Sequence, residues 1–176
     1  MMRRTILLII AIAGLAIGPA LADPTSALKG HNSNAPIDVS AERMEVQDRA
    51  DRAVMSGNVH VKQQELTLDT ARLTIAYTNG PGGLKMQRLD AAGGVVVKSP
   101  TETATGAFGV YDLDRKLITL VGGVRLSRQQ SQISGSRMVI DLTSGRAVVD
   151  GGAPGTDGSG GRVTGHFVVP ARGSRG

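Results

Sequence analysis

Residues 53–61 read Ala-Val-Met-Ser-Gly-Asn-Val-His-Val, so apolar side chains stand on both sides of a short turn that contains glycine. The turn returns at Gly93-Gly94-Val95 and at Gly122-Gly123-Val124, and a fourth copy, Gly151-Gly152-Ala153, lacks only the valine. Apolar residues keep the same offsets from each turn. The chain therefore contains an internal repeat.

The period of this repeat is close to 29 residues, which is the separation of Ala91 from Leu120 and of Leu120 from Val149. One repeat is longer because residues 79–83, Asn-Gly-Pro-Gly-Gly, insert a run of turn-forming residues. A fixed period in this range is typical of stacked supersecondary units, each of which buries its apolar face against a neighbour. The sequence predicts about four such repeats.

Within each repeat the apolar residues alternate with polar ones, as in Leu66-Thr67-Leu68 and Val124-Arg125-Leu126. A period of two is typical of β-strands with one apolar face, and residues 23–176 contain no apolar stripe of helical period. We therefore expect an all-β stack with an aliphatic interior. The side chains predicted to face that interior are Met44, Val46, Met55, Val59, Val61, Leu73, Ile75, Val95, Val97, Phe108, Val110, Leu120, Val124, Leu126, Met138 and Ile140.

The ends of the chain differ from the repeat. Residues 1–22 contain paired arginines, an apolar run at 6–17 and a small-x-small ending, which predict a cleaved secretory signal peptide. That apolar run is shorter than the roughly 20 residues of a membrane span. Residues 23–36 are expected to form a flexible leader and residues 37–153 the repeat body. Residues 154–176 hold a glycine-rich loop, a candidate last strand and a basic tail.

Composition argues against several classes of function. The chain has no cysteine, which excludes disulfides and thiolate sites, and His31, His60 and His166 lack the spacing of zinc ligands. Two Phe, two Tyr and no Trp, with a net charge of +5 from scattered residues, do not predict a nucleic-acid interface. No nucleophile or paired-carboxylate motif stands out. We expect no enzyme activity, no metal and no cofactor.

The predicted interior is aliphatic, with Phe108 as the only aromatic residue in the aligned columns. Such an interior suits fatty acyl chains, because each methylene removed from water contributes about 0.8 kcal/mol. The residues alone leave other functions open. A close-packed β-solenoid that assembles without ligand and a carbohydrate-binding β-helix are the alternatives.

Three stretches carry a resemblance to a known family: Ala41-x-x-Met44-x-Val46, residues 52–61, and Leu66-x-Leu68 with Leu73-x-Ile75. Together with the glycine turns, they resemble the OstA-like domain of the LptA family of periplasmic lipopolysaccharide transport proteins, over roughly residues 37–153. The resemblance implies a twisted β-jellyroll of antiparallel strands, open along one seam. It also implies that the inward side chains named above bind the lipid A acyl chains while the sugars stay in water.

The same resemblance implies a location in the periplasm and a role as a carrier between the inner and outer membranes. The implied partners are lipopolysaccharide and the OstA-like domains of an inner-membrane LptC-like and an outer-membrane LptD-like protein. Open sheet ends favour strand addition, and contact between two different ends does not close into a ring, so head-to-tail self-association is also expected.

Overall fold

The computed structural model describes Leu28, residues 31–152 and residues 161–168. These residues form ten β-strands and one 3₁₀ turn at Asp48–Ala50. The strands are β1 (Asp38–Ser40), β2 (Arg43–Gln47), β3 (Arg52–Gln63), β4 (Leu66–Gly80), β5 (Gly83–Lys98), β6 (Glu102–Asp112), β7 (Leu117–Arg128), β8 (Ser131–Asp141), β9 (Arg146–Asp150) and β10 (Thr164–His166).

All ten strands belong to one antiparallel sheet, in which β3 to β8 follow one another in chain order. At one edge β1 and β2 each pair with half of β3, and at the other edge β9 and β10 each pair with half of β8. Among the described residues no ladder joins the two edges. The prediction of an all-β, open antiparallel jellyroll is confirmed.

Each long strand bends in its middle, and the bends lie beside one another across the sheet. The ladder register shifts between Ser56 and Val59 in β3, and the glycine turns of β5 and β7 mark corresponding shifts. Gly57, Gly93, Gly94, Gly122 and Gly123 all have positive φ, a conformation that glycine adopts without the steric cost of a Cβ. The repeated glycine turns are therefore bends within continuous strands.

The line of bends folds the sheet into two layers that face each other. The first layer comprises β2, residues 52–56, 72–80, 83–92, 108–112, 117–121 and 137–141, and β9. The second comprises β1, residues 59–63, 66–70, 95–98, 102–106, 124–128 and 131–135, and β10. Tyr111 of the first layer donates a hydrogen bond of 3.0 Å to Gln63 Oε1 of the second, which bridges the space between the layers.

Small side chains meet at the bends because the strands approach closely there. A Cβ added at Gly93 would lie 2.8 Å from Ala71 Cβ, and one at Gly122 would lie 2.7 Å from Ala107 Cβ. Bend glycines of β5 and β7 thus pack on alanines of the preceding strands. The bends of β4 and β6 have no Gly-Gly pair, which is why their positions are less visible in the sequence.

Each edge of the sheet consists of two short strands in place of one long bent strand. β9 pairs with residues 137–141 and β10 with residues 132–134 of β8, so the two short strands lie where the two halves of one bent strand would lie. The fourth glycine pair lies at their bend, where Gly151 packs on the backbone of Gly161. Strand β10 falls within the candidate last strand of the sequence analysis. Residues 153–160 and 169–176 lie outside the described residues.

Of the flexible leader expected at 23–36, Leu28 and residues 31–36 are described, and the remainder lies outside the described residues. Leu28 and Ser33 are buried, and backbone hydrogen bonds join His31 N to Leu28 O and Ala35 N to Asn32 O. Its described part packs on the sheet because Leu28 adds an apolar side chain to the core. The predicted signal peptide lies outside the described residues, and none of the described residues forms a helix long and apolar enough to cross a membrane.

The bend of β7 supports a matched pair of substitutions. Gly123→Ala should destabilise the fold by about 1–2 kcal/mol because alanine is strained at its positive φ of 62°, although the space around it is open. Gly122→Ala should cost roughly 1–3 kcal/mol more, since its Cβ also overlaps Ala107. Urea unfolding of the two variants would measure the difference. Equal losses would contradict the close packing at this bend.

Candidate functional site

The inner face of the folded sheet consists of side-chain columns that cross every strand. Antiparallel partners share one face of a sheet, so the registers define each column. In the first layer one column is Met44, Met55, Leu73, Ala91, Gly109, Leu120, Met138 and Val149, and the next is Val46, Ala53, Ile75, Leu89, Tyr111, Ile118, Ile140 and Ala147. In the second layer a column contains Val39, Val61, Leu68, Val97, Ala104, Leu126, Ile133 and Gly165.

The structure places most of the residues predicted from the sequence on this face. Those that are buried between the layers are Met55, Val59, Val61, Leu73, Ile75, Val95, Val97, Leu120, Val124, Met138 and Ile140. Leu126 is half-buried in the second layer and packs against the same core. These side chains form a continuous aliphatic surface from one sheet edge to the other.

Met44 and Val46 share the inner face but are not buried. They pair with Met55 and Ala53, whose side chains lie in the core, yet they are 54% and 59% exposed. Both stand on β2 at the sheet edge, where no further strand of the described part of the chain covers them. The end of the inner face is thus an uncovered apolar surface.

The inward assignment of Phe108 and Val110 is wrong. Phe108 pairs with Ala92 and Val121 on the outer face, where it is 56% exposed, whereas Gly109 and Tyr111 face the interior. Two features combine here: inner-facing positions 106 and 109 are three residues apart across the bend of β6, and position 109 is a glycine.

Because the inner residue is Gly109, the sequence pattern pointed to its apolar neighbour Phe108. A Cβ there would lie 3.0 Å from Leu120 Cδ2 and 3.1 Å from Val95 Cγ1, so side chains from both layers fill the space that its own would occupy. A glycine in an inner column carries no hydrophobic signal. The alternation around it therefore pointed to the wrong face.

An apolar cleft of about 340 Å³ opens at the end formed by β1 and β2, and we call it the N-terminal cleft. It is lined by Ile37, Val39, Met44, Val46, Asp48, Ala53, Met55, Ile75, Tyr77, Asn79, Leu84 and Met86. Burial, with the nearby Asp48 carboxylate, raises the pKa of Tyr77, whose hydroxyl lies 3.4 Å from Asp48 Oδ1.

A second cleft of about 410 Å³, the C-terminal cleft, opens at the end formed by β9 and β10. It is lined by Glu102, Leu126, Arg128, Ser131, Gln132, Ile133, Gly145, Ala147 and Phe167. Arg128 Nη1 lies 3.7 Å from Glu102 Oε1, and the Glu102 side chain is almost fully buried. This end therefore combines apolar walls with a charged pair, and both clefts have the size of ordinary ligand sites.

Between the clefts the two layers are close-packed. Leu73, Leu120 and Met138 are fully buried, and the central cavity measures only about 10 Å³. The sequence led us to expect an interior open along one seam. In this structure the aliphatic face is continuous, but open space is found at its two ends.

Two polar groups in the centre were not expected from the sequence. Gln63 and Tyr111 are both buried, and burial raises the pKa of the Tyr111 phenol. Gln63 stands two residues after Val61, in phase with the inner positions, and this alternation is the signal that could have identified it. Among the described residues no group of His, Asp and Glu side chains could hold a metal ion.

Comparisons with known proteins agree with this architecture. Residues 38–146 match the family described as LptA/(LptD N-terminal domain) LPS transport protein. An uncharacterized protein of Rhizobium meliloti strain 1021 is 29% identical over 147 residues, which cover 78% of this chain and 79% of that protein. The crystal structure of LptH, the LptA homologous periplasmic component of the lipopolysaccharide transport device of Pseudomonas aeruginosa, superposes with a TM-score of 0.66 at 18% identity. That superposition covers 79% of this chain and 99% of LptH.

The two faces of the sheet should respond differently to truncation. Leu120→Ala removes a fully buried side chain and should cost about 2–5 kcal/mol of unfolding free energy. Phe108→Ala on the outer face should cost no more than about 1 kcal/mol, the scale of a cross-strand pair. Guanidinium unfolding measures both. A loss from Phe108→Ala as large as that from Leu120→Ala would restore the inward assignment of Phe108.

Proposed function

This chain belongs to the LptA and LptD N-terminal domain family of lipopolysaccharide transport proteins, and from that premise we propose that it is a periplasmic lipopolysaccharide carrier. It binds the lipid A acyl chains between the two layers of the sheet. It passes the lipid from the inner to the outer membrane and catalyses no reaction.

The observation that supports this proposal is the aliphatic inner face, which runs from edge to edge and ends in a cleft with apolar walls on each side. Acyl chains need no directional partner, since each methylene removed from water contributes about 0.8 kcal/mol. A surface of Met, Val, Leu and Ile side chains offers that environment at every position. Exposed Met44 and Val46 are the first such contacts at the N-terminal end.

The outer face suits the part of the lipid that stays in water. Asp69 Oδ1 lies 2.6 Å from His60 Nδ1, and its second oxygen lies 3.4 Å from Lys98 Nζ. The hydrogen bond from His60, helped by Lys98, lowers the pKa of Asp69, so this carboxylate stays ionised down to a lower pH than an ordinary aspartate. Sugars beside such a face remain hydrated.

Transport of lipid between the layers requires them to separate, because the centre of this structure is close-packed. The lost contacts between side chains are replaced by contacts with acyl chains of similar chemistry. An inner face that binds equally well along its length sets no direction of movement. A partner at the inner membrane must therefore supply the energy.

The two sheet edges provide the means to join copies and partners. If β2 of one copy adds to β9 of the next, continuation of the inner column brings Met44 opposite Val149. Arg43 then comes opposite Asp150, an attractive pair on the outer face. We infer the same contact with the OstA-like domains of LptC-like and LptD-like partners, which would join the inner faces into one path.

The close-packed centre also favours a second candidate, a structural repeat protein that assembles through its edges and holds no lipid. It shares the edge contacts with the carrier. The two functions differ only in whether the inner face binds acyl chains.

Photo-reactive residues on β2 distinguish the faces of one exposed strand. A photo-reactive residue at Met44 or Val46 should crosslink to lipopolysaccharide in the native cell, whereas one at Glu45 should not. All three positions are exposed, so access alone does not separate them. Adducts are detected by immunoblotting for lipopolysaccharide. The absence of adducts at all three positions would support the repeat protein that assembles without lipid. Equal amounts of adduct at Met44, Val46 and Glu45 would contradict the assignment of the inner face as the binding surface.

Engineered cysteines test the head-to-tail contact, since the chain contains no cysteine of its own. Opposed residues on paired strands lie about 4.5–5.5 Å apart between Cα atoms, within the range of a disulfide. Met44→Cys combined with Val149→Cys should give a ladder of disulfide-linked oligomers on non-reducing gels. Met44→Cys with Val148→Cys is the control, because Val148 faces outward. Monomers in both cases would exclude this edge contact.

A further inference from the structure

A short segment before the sheet crosses from the core to β1, and we call residues 31–37 the strap. Leu28, just before it, is buried in the core, and Ile37 at its end packs against the same core. Ser33 is also buried. Backbone hydrogen bonds of 3.0–3.1 Å fold the strap into consecutive turns, from His31 N to Leu28 O, Ser33 N to His31 O and Ala35 N to Asn32 O.

One buried side chain, Gln63 at the end of β3, connects the strap with both layers. Its Nε2 donates to Ser33 O at 3.1 Å and to Ala35 O at 2.9 Å. Its Oε1 lies 2.9 Å from His31 Nε2 and accepts the Tyr111 hydroxyl at 3.0 Å. Gln63 belongs to the second layer and Tyr111 to the first. The amide thus joins strap, second layer and first layer at one point.

The strap also borders both the N-terminal cleft and the centre of the molecule. Ile37 lines both the N-terminal cleft of about 340 Å³ and the central cavity of about 10 Å³. Gln63 and Tyr111 line that central cavity as well. A chain that moved from the N-terminal cleft into the centre would meet Ile37 and then the Gln63–Tyr111 bridge.

We propose that the strap is a latch that closes the passage from the N-terminal cleft into the centre of the inner face, with Gln63 as the residue that holds it shut. The inference rests on the proposed function, since it assigns to the latch the control of acyl-chain access. An arriving acyl chain takes over the apolar contacts of Leu28 and Ile37. Breaking the bonds to Gln63 then frees the two layers to separate.

The contacts that hold the strap are suited to reversible opening and closing. The strap is held by a few apolar side chains and by hydrogen bonds to one amide, and a hydrogen bond contributes a modest net free energy because its groups can bond to water when released. Segments with few such contacts open locally without unfolding the remainder of a protein. The strap precedes residue 38, where the match to the family begins.

The latch predicts linked changes in strap mobility and ligand access. Gln63→Leu keeps a buried side chain of similar size but removes the bonds to the strap and to Tyr111. The backbone amides of His31, Ser33 and Ala35 should then exchange with deuterium about tenfold faster or more. The association rate of a fluorescent twelve-carbon fatty acid, measured by stopped flow on the full mature chain, should rise by a similar factor.

Two further variants separate the latch from general destabilisation. His31→Ala removes one strap contact without altering the interior and should give a smaller increase in both rates. Thr70→Val removes the bond of 2.9 Å from Thr70 Oγ1 to Ala92 O at the bend of β4, away from the strap, and should change neither rate. Circular dichroism establishes that each variant is folded.

The outcomes separate the two proposals. Faster exchange and faster association in Gln63→Leu, with Thr70→Val unchanged, support the latch. If Gln63→Leu and the unmodified protein bind the fatty acid at the same rate, the latch is overturned while acyl binding stands. If neither the unmodified protein nor any variant binds the fatty acid, the proposal of acyl-chain binding and the proposal of the latch are both overturned.

Discussion

The structure depends on the bend that every long strand makes at the same level. A single half of the sheet would leave its Val, Leu, Ile and Met side chains in water, and burial requires a second apolar surface to face it. The bends provide that surface from the same strands. Their positive φ values need glycine in β5 and β7, and the close approach there leaves room only for alanine on the neighbouring strands.

A sheet folded in this way has two open edges, and the exposed features of the molecule follow from them. Inner columns continue to the last strand, so Met44 and Val46 stay apolar and uncovered at one edge. The same geometry leaves a cleft at each end, while the centre closes because columns from both layers are complete there. The proposed binding of acyl chains between the layers and the proposed latch at Gln63 both require an interior that opens to be filled.

Among the long strands, the inward assignment made from the sequence was wrong only in β6. In β3, β5 and β7 the inner positions across the bend are four residues apart, as with Leu120 and Val124, so simple alternation stays in phase. In β4, β6 and β8 they are three residues apart, so the phase changes between the two layers, and an apolar residue such as Leu73 or Met138 marks the new phase in β4 and β8. Gly109 then removed the hydrophobic signal, and Phe108 took its place in the prediction. Gln63 was missed because a polar side chain in an apolar column is read as outward until its partners are known.

The sequence by itself determined the strand content, the repeat, the positions of the glycine bends and most of the inner face, because these depend on local conformation and on a period of two. Only the tertiary structure decided where the inner face is open and where it is closed. That outcome depends on how side chains of the two layers meet, as when Leu120 and Val95 fill the space beside Gly109. It depends equally on residues far apart in the chain, as when Gln63 binds the strap and Tyr111 together. Packing across a fold is a property of distances between such residues, and no local pattern encodes it.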